Sequence, residues 1–200
     1  MTKNILPEPA VVAIERTSEN VKKTIDLLQS LRQEFKIKIL GGDVRQVERA
    51  ILRTHTSEPC LVVSDQVGFH PISSCLVKRI RTVFRRADAI AFSAGAEKGD
   101  IALWKRHRLI SAYVPKQNED ELIAHCRSIL RDYMSDQALS SARLALQKEK
   151  SPFAMFIWID GKCYSPVTGF REMVCKTKLG MQLLKNQTEL ERVRGMSRSN

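Results

Sequence analysis

The stretch Pro59-Cys60-Leu61-Val62-Val63-Ser64-Asp65 decides how this chain reads, because it is a short apolar run without polar alternation that closes on an acid. A strand with one wet face alternates apolar and polar residues, whereas a continuous run suits a central strand of a parallel sheet covered on both sides. Parallel neighbours need crossovers of a dozen or more residues, so helical patterns are expected on either side.

Downstream, Gly68 and Pro71 mark a loop, and Ser73 or Ser74 caps a helix with Leu76, Val77, Ile80, Val83 and Phe84 on one face. Ala89–Ser93 reads as the next strand, ending in Ala94-Gly95-Ala96, and a short helix over Asp100–Arg106 carries Trp104. Leu109–Val114 is a further strand stopped by Pro115, before a helix over Glu119–Tyr133 with Leu122, Ile123, Cys126, Ile129 and Leu130 facing inward. Upstream, a strand at Ala10–Ile14 leads through the N-cap Ser18 to a helix, Glu19–Arg32, with Val21, Ile25, Leu28 and Leu31 at helical spacing. Phe35–Leu40 is a strand broken by Gly41-Gly42-Asp43, and Val44–Arg53 a helix. Five strands alternating with five helices predict an open, doubly wound parallel sheet of the α/β class.

Composition sets the outer bounds. Two hundred residues suffice for one good-sized domain with an appendage. The shares of 43% apolar and 28% charged residues argue against whole-chain disorder. No run approaches the roughly 20 apolar residues of a membrane span. The opening MTKNILPEPAVVAIE lacks the apolar core of a signal peptide, so a cytoplasmic protein with no membrane partner is expected. Cys60, Cys75, Cys126, Cys163 and Cys175 are widely spaced and outside CxxC pairs, which reads as reduced core filling. His55, His70, His107 and His125 show no zinc-ligand spacing, and no metal site is expected from them.

In a doubly wound sheet, ligands and reactive groups gather beyond the carboxyl ends of the strands. The residues there are Glu15 and Arg16 after the first strand, Asp65 after the third, Ser93 after the fourth and Lys116 just beyond the fifth.

This order of elements and end residues, over residues 8–133, resembles the receiver domain of bacterial two-component response regulators. The segment EPCLVVSD is similar to the receiver's third strand, which puts Asp65 at the phosphoacceptor position. AIAFSAG is similar to the fourth strand, with Ser93 at the hydroxyl switch position. AYVPK is similar to the fifth, with Tyr113 at the aromatic switch and Lys116 at the phosphate-contacting lysine. The resemblance implies a flavodoxin-like, receiver-like fold, a signalling role and a sensor kinase or other signalling protein as partner. Two departures matter. The acidic-pair position reads Glu15-Arg16, and the loop Gln66–Pro71 lacks the family's Met-Pro. A guanidinium in place of a carboxylate opposes a cation that demands near-ideal octahedral geometry, so Mg²⁺, with Glu15 and Asp65 as its ligands if it binds at all, is not expected as a cofactor. Asp65 also reads as an ordinary turn former, and Arg16 as the partner of Glu15 or Asp65 in a structural ion network. Catalytic residues are not expected.

The net charge is +11, and residues 134–200 carry 11 Lys and Arg against 6 Asp and Glu, so a third of the chain holds nearly half of the excess. A basic region of this kind meets nucleic acid, membrane headgroups or an acidic protein. The expected organisation is a receiver-like domain over 1–133, a helical linker over 134–150 and a small α+β region over 151–200. Within the last, Phe153–Ile159 and Lys162–Tyr164 form a hairpin around Asp160-Gly161. A single helix follows from Phe170 to Arg194, interrupted in propensity only by Gly180. On it Arg171, Lys178, Lys185 and Arg192 recur every seven residues as a basic stripe, a candidate nucleic-acid contact or simply a solvated face. The apolar hairpin predicts packing against the helix or against a second copy in a homodimer.

These features favour an atypical response-regulator-like protein whose receiver-like domain controls a DNA-binding output for transcription regulation. A pseudo-receiver adaptor that binds only proteins, and a small doubly wound enzyme, are the alternatives. The enzyme reading is weakest because the sequence has no Gly-rich phosphate loop, nucleophile elbow or paired catalytic carboxylates.

Overall fold

The computed structural model describes residues 9–15, 17–43, 45–47, 49, 58–65, 71–84, 86–155 and 157–196. Their strands are β1 (Ala10–Glu15), β2 (Lys38–Gly42), β3 (Pro59–Asp65), β4 (Arg86–Ser93), β5 (Ala112–Pro115), β6 (Ile157–Ile159) and β7 (Lys162–Tyr164). The helices are α1 (Ser18–Gln29), α2 (Pro71–Val83), α3 (Lys98–Arg106), α4 (Glu119–Lys148), α5 (Pro166–Cys175) and α6 (Lys178–Met196), with a 3₁₀ turn at Ser30–Gln33. The chain divides into two compact units, Met1–Leu130 and Arg131–Asn200.

Unit 1 is the doubly wound α/β sheet expected from the sequence, with five strands in the order β2-β1-β3-β4-β5 and every pairing parallel. The apolar run at 59–65 is indeed central, since β3 pairs on one side with β1 and on the other with β4. All six residues of β1 are buried, so both faces of the sheet are covered. Val12, Ile14, Cys60, Val62, Ala89 and Ala91 share one core cluster with Leu76, Ile80 and Phe84. Side chains alternate across a strand. Val11, Ala13, Leu61, Val63 and Ile90 therefore take the opposite face.

Element ends differ from the sequence reading in instructive ways. β2 begins later than Phe35 and runs through both glycines, with Gly41 and Gly42 pairing with Ala13 and Ile14. A Cβ on Gly41 would sit 2.5 Å from Ile25 Cδ1, so this glycine lets the strand pass close under α1 rather than ending it. The cap of α1 is Thr17 and not Ser18: the Thr17 hydroxyl accepts a hydrogen bond from the Asn20 amide at 3.3 Å. α2 starts at Pro71, ahead of Ser73 and Ser74. Of the helix expected over Val44–Arg53, residues 45–47 and 49 are helical and the others lie outside the described residues.

Helix α4 does not stop at Tyr133. Thirty residues without Gly or Pro carry it to Lys148, and Glu119, Asp120 and Glu121 place negative charge at its amino end, where the helix dipole favours it. The unit boundary falls within this helix.

Unit 2 holds the antiparallel hairpin β6–β7 and the pair α5–α6. Asp160 (φ 49°) and Gly161 (φ 74°) both take positive φ, the signature of the tight primed turn that Asp-Gly favours. The strands are shorter than the apolar run suggested, because the chain turns over Ser151–Ala154, with the Ala154 amide donating to the Ser151 carbonyl. The single helix expected over Phe170–Arg194 is in fact two. Lys176, at φ 52°, ends α5, and its amide together with that of Thr177 closes onto the carbonyls of Met173 and Glu172. The Thr177 hydroxyl then caps α6, accepting from the Gly180 amide at 3.1 Å and donating to the Glu172 carboxylate. Ala138, Met173 and Leu184 form the small core of this unit, flanked by Leu139, Ala142, Phe170 and Leu183.

Candidate functional site

Parallel strand order brings the polar strand-end residues to one rim. Glu15 and Asp65 are Cα partners at the ends of β1 and β3. Ser93 and Pro115 are partners at the ends of β4 and β5, and Lys116 follows directly. Residues 50, 78 and 101 positions from Glu15 thus share its end of the sheet, with β4 standing between Asp65 and Lys116.

The rim has two distinct halves. Glu15 is buried, at 3% exposure, on the β1–β3 side. On the β4–β5 side, Ser93 is also buried, and the Tyr113 hydroxyl donates to the Ser93 carbonyl at 2.9 Å. The Ser93 hydroxyl donates to the Ala94 carbonyl at 3.2 Å. Tyr113 packs against the cluster that includes Ala89 and Ala91, the residues of Ser93's own parity on β4. The two switch-position residues therefore occupy one face of the sheet, tied through a main-chain carbonyl, while Lys116 at the mouth is exposed.

Ser64 went unremarked in the sequence and stands directly before Asp65 on β3. It is 2% exposed, between Ile14 and Ala91, and its hydroxyl has no hydrogen-bond partner among the described residues. A lone hydroxyl inside an otherwise apolar run was the signal for it. Buried polar groups left without partners are uncommon.

Arg16, the loop Gln66–His70 and the side chain of Asp65 lie outside what is described, as does the side chain of Cys75. Of the two carboxylates at the strand ends, only the Glu15 side chain is among the described residues. Among the described residues no group of three His, Cys, Asp or Glu could hold a metal ion. The Glu15 carboxyl is almost wholly covered, whereas Mg²⁺ keeps several waters in its shell and needs an open site.

The basic stripe is shortened by the break between α5 and α6. Arg171 lies on α5, while Lys178, Lys185 and Arg192 remain on α6. Lys178 and Lys185 are exposed; the side chain of Arg192 is outside the described residues. Opposite them Gly180 and Leu184 are buried, so α6 has a packed face and an outward one.

Cysteine burial splits by unit. Cys60 and Cys126 are buried, and loss of hydration raises both thiols; for Cys126 this pushes the pKa up to about 12. The carboxylate of Glu58 adds to the effect at Cys60. Cys163 is half-buried and Cys175 exposed, which corrects the reading of all five as core filling.

No family model matches the chain, and no curated protein matches it either. Similarity to solved structures does exist. The signal receiver domain of an HD domain-containing protein from Pseudomonas fluorescens Pf-5 is 17% identical, with a TM-score of 0.50 over 65% of this chain and 92% of that one. A structure titled adenylate cyclase from Rhodopirellula baltica is 10% identical, with a TM-score of 0.51 over 72% of this chain and all of that one. The pilus assembly protein CpaE from Caulobacter crescentus CB15 is 11% identical, with a TM-score of 0.46 over 60% of this chain and 98% of that one. At such identities the likeness speaks to fold alone, and together with the strand order 2-1-3-4-5 it makes the five-stranded sheet a receiver-like, flavodoxin-like fold.

Proposed function

We propose that this chain is a receiver-type signalling protein in which unit 1 accepts a signal at the carboxyl rim of its sheet and unit 2 delivers the output by binding DNA. The observation that carries the first half is the gathering of Glu15, Asp65, Ser93 and Lys116 at one rim, with Tyr113 tied to Ser93. The excess of positive charge in residues 134–200 supports the second half. The rim works as a binding and switching surface and carries no catalytic residue. Arginine at position 16, where a second acid would help hold Mg²⁺, argues for a signal that does not depend on Mg²⁺-assisted phosphoryl transfer to Asp65.

The test pairs two measurements on the full chain. After incubation with a small phosphodonor and Mg²⁺, the intact mass is expected to show no phosphoryl adduct that disappears in Asp65→Asn; an Asp65-dependent adduct overturns the phosphorylation-independent switch. Retention of duplex DNA is expected to fall steeply with salt, and absence of retention at low salt overturns the DNA output.

A second reading, an adaptor for another protein, is favoured by one observation. Phe153, Met155 and Trp158 stand 76%, 62% and 71% exposed within six residues. Apolar side chains grouped on a surface are a common mark of protein contact.

A further inference from the structure

Resting on the DNA-output reading above, we propose that α5 and α6 form a helix-turn-helix corner whose second helix enters the major groove of duplex DNA. The expected single helix would have been an unremarkable basic rod. The break changes what the sequence offers, because two helices joined at Lys176-Thr177 present the start of α6 at a corner.

The corner is built stiffly. A Cβ on Gly180 would lie 1.9 Å from the Glu172 carbonyl oxygen, so the backbones of the two helices approach as closely as only glycine allows. Thr177 bonds to Gly180 on one side and Glu172 on the other. A recognition helix must be held at a fixed angle by its partner, and the close approach at Gly180 together with the Thr177 hydroxyl does that.

The outward face then has the right chemistry. Lys178, Gln182, Lys185 and Asn186 are exposed, while Gly180 and Leu184, about half a turn round, are buried. Gln and Asn side chains pair bidentately with adenine in the major groove, and Lys pairs with guanine or a phosphate. At 1.5 Å per residue, positions 178–186 span about 12 Å, which suits a groove about 12 Å wide that admits an α-helix. Glu189, also exposed, follows on the same side and would repel phosphates, which places the reading surface in the first turns of α6.

The test uses the full chain and a pool of random-sequence DNA duplexes, with binding then measured by fluorescence anisotropy at several salt concentrations. Wild type is expected to enrich a sequence. Gln182→Ala with Asn186→Ala should lower discrimination for it by about tenfold or more while leaving non-specific binding in place. Lys178→Ala and Lys185→Ala should weaken binding to all sequences and each reduce the salt slope by about 1. Lys105→Ala, on unit 1, is the comparator expected to change nothing. All five positions are exposed, and circular dichroism checks that each variant is folded.

Three results separate the possibilities. Duplex binding without sequence enrichment, or with α6 variants equal to wild type, overturns the recognition helix and leaves the DNA output standing. Preference for RNA or single strands also overturns it. Absence of nucleic-acid binding in wild type overturns the output reading itself, and the recognition helix with it.

Discussion

Unit 1 and unit 2 are held together by different means. In unit 1, whole strand runs are closed off from water, and Val11, Val12, Ala13, Ile14, Leu61, Val62 and Val63 are each at 0% exposure. In unit 2, the core cluster among the described residues is Ala138, Met173 and Leu184, and Trp158 on β6 is 71% exposed. A two-stranded hairpin alone is marginal in water. The contrast teaches that one unit is stabilised by redundancy, through many interchangeable apolar contacts, and the other by a few specific ones.

The largest expected effect reads that contrast directly through the cysteines. With a pKa near 12, only about one Cys126 thiol in 10⁴ is ionised at pH 8, and burial blocks access as well. Cys175 is exposed. Labelling with a thiol reagent at pH 8, mapped by peptide mass, should modify Cys175 orders of magnitude faster than Cys60 or Cys126. In denaturant the rates should converge, because the shift arises from burial. Labelling of Cys126 at the pace of Cys175 in the native protein would break the picture of a sealed unit 1.

A second, smaller effect concerns two glycines in helices. Propensity alone makes Gly→Ala stabilising by up to about 1 kcal/mol. Gly99, on α3, has open space where a Cβ would go, so Gly99→Ala should be neutral or follow that gain. Gly180→Ala would drive its methyl into the Glu172 carbonyl, and the obstructing atom is backbone rather than a flexible side chain. The cost of overpacking, about 1–3 kcal/mol, exceeds the propensity gain, so urea denaturation should show Gly180→Ala destabilised. Equal midpoints for the two variants would mean that the α5–α6 corner is loose.

The same contrast explains what the sequence disclosed. Strand β3 was legible because burial on both faces leaves an unbroken apolar run, and its parallel neighbours follow from helical periodicity between runs. The rim followed from the strand ends, since parallel strands must all finish on one side. The break at 176 was not legible. It rests on a lysine at φ 52°, with no Gly or Pro to punctuate it, and the glycine that is present, Gly180, serves an interhelical approach instead. β2 was misplaced for a related reason: Gly41 reads as a breaker until the position of Ile25 over it is known.

The smallest effect tests the rim. Tyr113→Phe removes only the hydroxyl that donates to the Ser93 carbonyl, leaving the ring packed against the core cluster. A lost hydrogen bond of this type costs about 0.5–1.5 kcal/mol, toward the lower end where water can replace the donor. Because Tyr113 is half-buried at the mouth of the sheet, partial rehydration is open to the carbonyl, and the expected shift in urea midpoint is small. The outcome still discriminates. If the tie merely stabilises the fold, Tyr113→Phe loses stability and leaves DNA retention by the full chain unchanged. If the tie sets the state of the rim, the same substitution alters retention by more than its stability loss accounts for, since the ring keeps its packing and loses only the group that connects β5 to the carbonyl of Ser93.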